Sequence, residues 1–470
     1  MKALINGKFI DKDKKIDVIN PYTNELIDKV PICTRDDVKI AISSAKKAQN
    51  ILNDFSAFKL SNALYNAYEN LKDEQKKIAK MITAETGKPI KDALFEMSRS
   101  VETLKLAAEE SKRIYGESIP LDAGLGGKGF FGFTQKLPLG VVACITPFNY
   151  PVNLAIHKVA PAIAAKNAVI LKPSIKAPLS SMMMAEIINA EFPAGVINTL
   201  TGRSMEIGDE LTINNGIAKI SFTGSVPTGL MIANNAGMKK LTLELGGNDP
   251  LIILKDADIE KAVKGAINGS YLYSGQVCMA VKRIIVDNII ADEFIQKFVN
   301  ATKKLKLGDP SKMDTDIGPL IDENAAKIVE SSFISAIDNG ATVVCGGKRK
   351  GSFFEPTIID NVSPKMDIVI NETFGPVSPI IRVNGVEEAI SVANNSDFAL
   401  QAGIFTENLK EGMKCLNEVE AGTVFLNKQS TFRTDNMPFG GFKSSGIGKE
   451  GVKYAVEDMT RTKLIAINLR

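Results

Sequence analysis

The sequence predicts an α/β protein with a Rossmann-like doubly wound sheet and a second α/β unit, and three observations carry that expectation. From Val141 onward, short apolar runs at 141–145, 168–171, 196–200, 217–222 and 241–245 alternate with stretches of helical period. Strands joined through helices pair in parallel, because a parallel connection needs a crossover of a dozen or more residues. The chain has 470 residues, 44% of them apolar, which is more than one hydrophobic core usually supports and predicts two or three domains. Asn149, Lys172, Ser225 and Leu245 fall at or just past the ends of the apolar runs, where doubly wound sheets bind nucleotides.

The elements follow in order. Thr34-Arg35-Asp36-Asp37 reads as a capping box, after which Val38, Ala41, Ile42, Ala45, Ala48, Ile51 and Leu52 recur at helical spacing. Three or four helices are expected there, punctuated at Gly87 and Pro89, with 93–115 amphipathic again. Gly124-Leu125-Gly126-Gly127-Lys128-Gly129 matches the dinucleotide fingerprint formally, but that fingerprint needs a strand before it and a helix after it. Asp122 precedes it and an aromatic, strand-like stretch at 129–135 follows, so it is read as a loop. Phe222-Thr223-Gly224-Ser225 with Gly229 has the right context of strand, turn and helix (228–236), whose free N–H groups suit a pyrophosphate. A second α/β region runs from about 249 to about 451, with helical patterns at 259–268, 291–305 and 324–339. The segment 463–468 reads as a further strand.

Composition excludes several classes of function. The 57 basic and 54 acidic side chains nearly cancel and no segment mixes basic and aromatic residues, so there is no nucleic-acid footprint. Pro147, Asn149, Pro151, His157, Lys158 and Pro161 break the most apolar region, so no membrane span is expected. The charged segment 1–15 is not a secretory signal, and a cytoplasmic protein is expected. Five cysteines without paired spacing argue against disulfides or structural zinc, and Cys144 and Cys345 sit in apolar runs as inert thiols. One histidine, His157, cannot build a metal set or a serine triad and is read as structural.

Chemistry concentrates in two segments. Cys278 lies in Gly275-Gln276-Val277-Cys278-Met279-Ala280, thirty-four residues after Glu244 in Leu243-Glu244-Leu245-Gly246-Gly247-Asn248. Cys278 alone reads as a buried core cysteine, the commonest fate of an unpaired one, and only its company makes it a nucleophile. A carboxylate in an apolar strand is costly unless paired or functional, and burial raises its pKa toward that of a general base. A thiol that forms a thioester and a carboxylate that activates water make a two-step mechanism. Asn149 is either a turn former bonded to backbone or, with the Cys278 N–H, a donor to an oxyanion. Arg433 is either a salt-bridge partner of Asp435 or a substrate anchor.

These two segments, with Pro147-Phe148-Asn149-Tyr150-Pro151, Lys172-Pro173-Ser174, Phe222-Thr223-Gly224-Ser225 and Glu372-Thr373-Phe374-Gly375-Pro376, resemble the NAD(P)-dependent aldehyde dehydrogenase superfamily in order and spacing. The resemblance implies an NAD(P)-binding domain at 1–116 and 137–246 and a catalytic domain at 247–450. It also implies a small β oligomerisation flap at 117–136 and 451–470, making a homodimer or homotetramer. It implies that Cys278 is the nucleophile, Glu244 the base and Asn149 an oxyanion donor. Lys172 would hold the adenine-side ribose, Gly224 and Ser225 the pyrophosphate, Glu372 the nicotinamide ribose, and Phe374 the nicotinamide. Thr146, Pro147, Leu245, Ile175 and Lys176 would complete the contacts to NAD or NADP. Val277, Met279 and Arg433 would face the aldehyde, and no metal is implied. Many NAD-preferring members carry glutamate where this chain has Ile175. The neighbouring Lys176 would either attract a 2′-phosphate or point to solvent. Within the family the likeness is to members that oxidise lactaldehyde to lactate, and next to those that oxidise glyceraldehyde 3-phosphate. Acylation of CoA, or a silent binding role, are the competing expectations.

Overall fold

The computed structural model describes residues 1–469. Its first sheet has eight strands in the order Lys8–Ile10, Ala3–Ile5, Ile197–Thr199, Ala168–Lys172, Val141–Ile145, Ile217–Thr223, Lys240–Glu244 and Gly446–Ile447. The five from Ile197–Thr199 to Lys240–Glu244 are parallel, and antiparallel strands close both edges. The second sheet has seven strands, in the order Thr342–Cys345, Thr357–Asp360, Val377–Val383, Val281–Asp287, Asp249–Ile253, Gln401–Phe405 and Thr423–Leu426. All of its pairings but the first are parallel.

Helices cover both faces of each sheet, and strand alternation decides which residues meet them. Val142 and Cys144 point into the core built by the helices Ala57–Thr86, Ile90–Glu110 and Asn153–Ala164. Val141 and Ala143 point the other way, onto the helix Arg35–Asn53. In the second sheet Ile252, Ile285 and Ile381 share one core, and Leu251, Ile253, Ile284 and Ile380 share the other. Strands buried on both faces read as continuous apolar runs, so the sequence pattern was legible here.

The expected α/β architecture is present, with shifts in detail. Thr34 and Asp37 form the reciprocal capping box at the start of Arg35–Asn53. The expected helix at 93–115 is observed at Ile90–Glu110. Four short strands precede the first helix, Ala3–Ile5, Lys8–Ile10, Lys15–Ile19 and Leu26–Pro31. The last three are largely exposed or half-buried, and the buried Ala3–Ile5 is only three residues long, too short a run to read. The glycine-rich stretch follows a single 3-10 turn, Leu121–Ala123, and leads into the strand Phe130–Pro138, so it is a loop. That strand lies between Ser118–Ile119 and Thr460–Asn468 in a small antiparallel sheet, with the Thr460–Asn468 pairing running from Pro138↔Thr460 to Phe130↔Asn468.

The two large sheets are joined where the chain leaves Lys240–Glu244 and enters Asp249–Ile253, so Glu244 stands at their junction. Among the described residues no helix is long and apolar enough to cross a membrane.

Candidate active site

The segment carrying Cys278 follows the helix Ile259–Tyr271 through a strained turn. Tyr273, Ser274 and Gly275 all have left-handed backbone, with φ of 47°, 54° and 74°. For a residue other than glycine this costs on the order of 1–3 kcal/mol and persists only where the surroundings enforce it. Here the Tyr273 hydroxyl donates to Thr86 O (2.9 Å) and the Ser274 hydroxyl to Gly318 O (2.8 Å). The Ile321 N–H donates to Gln276 Oε1 (2.9 Å). A Cβ on Gly275 would lie 2.2 Å from Gly375 O, so only glycine lets this turn press against the Glu372–Gly375 segment.

Cys278 is half-buried at the end of this turn. Burial pushes its thiol up to about 12, the Lys282 ammonium works against that rise, and the carboxylates of Glu372 and Asp249 add to it. Glu244 is 2% exposed, and neither carboxylate oxygen has a hydrogen-bond partner. Burial raises its pKa well above the ordinary carboxylate range, and the negative charge of Glu450 raises it further against Lys158 and Arg433. An unpaired buried carboxylate is expensive, and its free lone pairs suit capture of a proton. Its Oε1 would lie 3.3 Å from a Cβ on Gly440, so the backbone at Gly440 passes close to this carboxylate.

Asn149 is buried, and its Nδ2 donates to Gln276 O (2.9 Å) on the cysteine loop. Its Oδ1 also accepts from Tyr150 N (3.1 Å), the local bond of a turn former. An amide nitrogen carries two N–H groups, so one remains beyond the bond to Gln276.

Arg433 departs from one expectation. Its guanidinium meets Glu450 Oε2 at 3.2 Å and stacks 3.8 Å from the Phe439 ring, not against Asp435. Asp435 is already held by Arg99 (2.6 Å) and by His157 (2.9 Å), so its oxygens are committed elsewhere. Burial favours a protonated Asp435, but His157 and Arg99 override it and hold the carboxyl far below its ordinary range. Glu450 also accepts from Lys158 at 2.6 Å. His157 is structural, as expected, with Asp435 as the partner the sequence did not indicate.

The residues expected to contact the cofactor lie at the carboxyl ends of the strands of the first sheet. Lys172 ends its strand at 7% exposure, and burial lowers its pKa to about 8, partly offset by Glu206. Thr146 N donates to Lys172 O (3.1 Å), and the buried hydroxyls of Thr146 and Thr223 have no partner. Ser225 caps the helix Val226–Asn235 without a side-chain bond to its N–H groups; its hydroxyl meets Thr228 Oγ1 at 3.0 Å. The helix N-terminus therefore keeps unsatisfied N–H donors for an anion. A Cβ on Gly224 would lie 2.4 Å from the Phe222 ring, and one on Gly229 2.5 Å from Leu245 Cδ2. Leu245 thus packs beneath this helix.

Glu372 Oε1 accepts from Lys282 at 2.9 Å and from Gly247 N at 3.3 Å. The Phe374 ring stands edge-on to Phe148, with centroids 6.0 Å apart. Pro147 and Ile175 are half-buried. Lys176 is exposed and forms a surface ion pair with Asp322 (2.6 Å), its ammonium 5.9 Å from the centre of the Phe148 ring. Orphaned hydroxyls, a glycine-lined helix start, a buried lysine and a reachable carboxylate together fit a dinucleotide.

A cavity of about 450 Å³ is lined by Arg99, Tyr150, Met279, Lys428, Phe432 and Arg433, among others. Met279 and Arg433, both expected to face the aldehyde, are on its wall. Val277 is 1% exposed and packs with Tyr273, Met279, Leu400 and Phe439, and it does not line this cavity. Sequence reasoning also missed Lys158, Glu450 and Lys282. The signal for Lys282 was available, as a cation inside the apolar strand Val281–Asp287, which is buried along its whole length.

The sequence profile of the aldehyde dehydrogenase family matches residues 9–465. The chain is 43% identical to the lactaldehyde dehydrogenase of Methanococcus aeolicus, over 99% of this chain and 100% of that protein. It is 41% identical to the 3-sulfolactaldehyde dehydrogenase of Priestia aryabhattai, over 99% and 97% of the two chains. It resembles the crystal structure of the glyceraldehyde-3-phosphate dehydrogenase GapN of Methanocaldococcus jannaschii complexed with NADP, at TM-score 0.94 and 44% identity, covering 97% of this chain and 100% of that one. A chain matched from end to end by this profile, with these residues gathered where its two large sheets meet, belongs to the aldehyde dehydrogenase family and is an NAD(P)-dependent enzyme.

Proposed function

We propose that this enzyme oxidises a small hydroxylated aldehyde, lactaldehyde to lactate being the reaction that fits best, with NAD(P)+ and water. The observation that carries the reading is Glu244, a buried carboxylate with both oxygens free and a raised proton affinity, beside the loop that carries Cys278. Water, not a second acyl acceptor, is what such a group activates.

Cys278 Sγ attacks the carbonyl carbon, forming the C–S bond as the thiol proton passes to solvent, the one proton the overall reaction releases. The free Asn149 N–H and the Cys278 backbone N–H hold the oxyanion. Lys172, Gly224, Ser225 and Glu372 would hold the cofactor, with Thr146, Pro147, Leu245, Ile175 and Phe374 around it. A nicotinamide bound there supplies the acceptor for the hydride that the same carbon releases. Glu244 then takes a proton from water, whose oxygen attacks the thioester carbon. The C–S bond breaks, the acid leaves, and Cys278 recovers its proton.

The substrate reading rests on what is already paired. Arg99 and Arg433, the two arginines on the cavity wall, are bonded to Asp435 and Glu450, and the residue before the nucleophile is Val277. A phosphorylated or sulfonated aldehyde would have to displace those partners, whereas a neutral hydroxyaldehyde would not. The second reading is glyceraldehyde 3-phosphate, favoured by the likeness to GapN and by Lys91 and Lys428 on the same wall. The test is kcat/KM for lactaldehyde, glyceraldehyde, glyceraldehyde 3-phosphate, 3-sulfolactaldehyde, glycolaldehyde and succinate semialdehyde with each cofactor. Lactaldehyde should lead, and a higher value for glyceraldehyde 3-phosphate overturns the choice. Cys278→Ala should abolish turnover while retaining cofactor binding, which also separates an enzyme from a silent binding protein. The small antiparallel sheet is proposed to join copies of the chain into a homodimer or homotetramer.

A further inference from the structure

Lys282 is the least expected charge in the molecule. Its side chain is 3% exposed, and its ammonium lies within 2.9 Å of Gly247 O, 2.9 Å of Val277 O, 2.7 Å of Cys278 O and 2.9 Å of Glu372 Oε1. These acceptors come from three separate segments. Gly247 follows the strand that ends in Glu244, Val277 and Cys278 belong to the nucleophile loop, and Glu372 belongs to the proposed ribose site. A primary ammonium has three N–H bonds, so four acceptors at these distances cannot all be served by linear hydrogen bonds at once.

We propose that Lys282 is a positioning residue that sets the Cys278 loop against the Glu244 strand and responds to occupancy of the nicotinamide-ribose site through Glu372. The inference rests on Cys278 as nucleophile and Glu372 as ribose acceptor. Three of the four acceptors are backbone carbonyls whose separation fixes where Cys278 stands relative to Glu244. The fourth is the only one on a side chain able to accept from another donor, because Glu372 keeps 21% exposure. Ribose hydroxyls that donate to Glu372 weaken its hold on Lys282. The third N–H then turns wholly to the carbonyls of the two loops, and the loops tighten. The ammonium is also the cation that acts most strongly on the buried thiol.

A lysine that merely satisfied buried carbonyls would predict lost stability and nothing more. The test follows alkylation of Cys278 by iodoacetamide against pH, by peptide mass, with and without saturating NADP+. In the wild type, alkylation of Cys278 should track loss of activity, and cofactor should change its rate. Lys282→Met should slow alkylation about tenfold at fixed pH, a displaced thiol titration of about one unit. It should lower kcat about 10- to 100-fold with a smaller change in KM, and remove the cofactor effect on alkylation. Lys282→Arg, which keeps the charge but not the shape, should restore the pH profile without restoring kcat. Glu372→Gln, which removes a carboxylate that raises the thiol, should alkylate faster than wild type without cofactor and lose the response to it. If Lys282→Met does not fold, Lys282→Gln and the Glu372 variant give the same readouts. An unchanged pH profile together with kcat within twofold overturns the proposal for Lys282. Alkylation of Cys278 without loss of turnover would instead overturn the nucleophile assignment.

Discussion

At the scale of single residues, the site works by placing ionisable groups where water cannot satisfy them. Glu244 has no bonded partner, so replacing its carboxylate by an amide removes the base and disturbs no hydrogen bond. Glu244→Gln should release one equivalent of reduced cofactor per site in a rapid burst and then stall. Steady turnover equal to wild type would remove Glu244 from the mechanism. Lys172 carries a different consequence. Burial holds its folded pKa near 8, below the ordinary 10.5, so between those values the unfolded chain binds more protons and this group's contribution to stability rises with pH. A bound 2′-phosphate favours the ammonium, so NADP+ should bind with proton uptake at about pH 9. Calorimetry in two buffers of different ionisation enthalpy should show it for NADP+ more than for NAD+; identical heats would exclude it. Lys176 spends its charge on Asp322, so cofactor discrimination falls mainly on Ile175. Ile175→Glu should lower kcat/KM for NADP+ about tenfold or more relative to NAD+, corresponding to ~1.4 kcal/mol of repulsion. Equal effects on the two cofactors would count against this.

At the scale of elements, the nucleophile stands on a turn, not on a helix or strand. The left-handed stretch at 273–275 and the following Gln276 are held by three bonds to two segments, Thr86 and 318–321, and Gly275 fits only because it has no Cβ. Gly275→Ala should cost about 1–3 kcal/mol in urea unfolding and depress kcat more than the same change at an exposed loop glycine such as Gly340. Gly340 also has positive φ but nothing near its Cβ direction, so it controls for backbone strain alone. An equal loss at both positions would show that contact with Gly375 does not matter. The helix Val226–Asn235 contributes in a simpler way, by keeping its N-terminal donors unspent.

At the scale of the whole molecule, distant segments close the site. Arg99 meets Asp435 across 336 residues of sequence, and Lys158 meets Glu450 across 292. These buried pairs bind the N-terminal helices to the C-terminal segment, and breaking one partner of such a pair is costly because a charge is left buried alone. Among the described strands, Thr460–Asn468 stands at one edge of the small sheet beside Phe130–Pro138, the sheet proposed to join copies of the chain. Truncation after Met459 should shift the protein to a smaller assembly in light scattering; an unchanged mass would show that other surfaces hold the oligomer.

By itself the sequence determined the alternation of strand and helix, the capping box at Thr34 and the two segments that carry Cys278 and Glu244. Those features are local, because a strand buried on both faces must be apolar and a helix buried on one face must repeat at its own period. Only the tertiary structure decided that Arg433 pairs with Glu450, that Asp435 belongs to Arg99 and His157, that Val277 turns into the core, and that Lys282 joins three segments. Each of these depends on which groups meet after the chain has crossed itself, and a charge surrounded by apolar neighbours in sequence does not name the partner that will neutralise it in space.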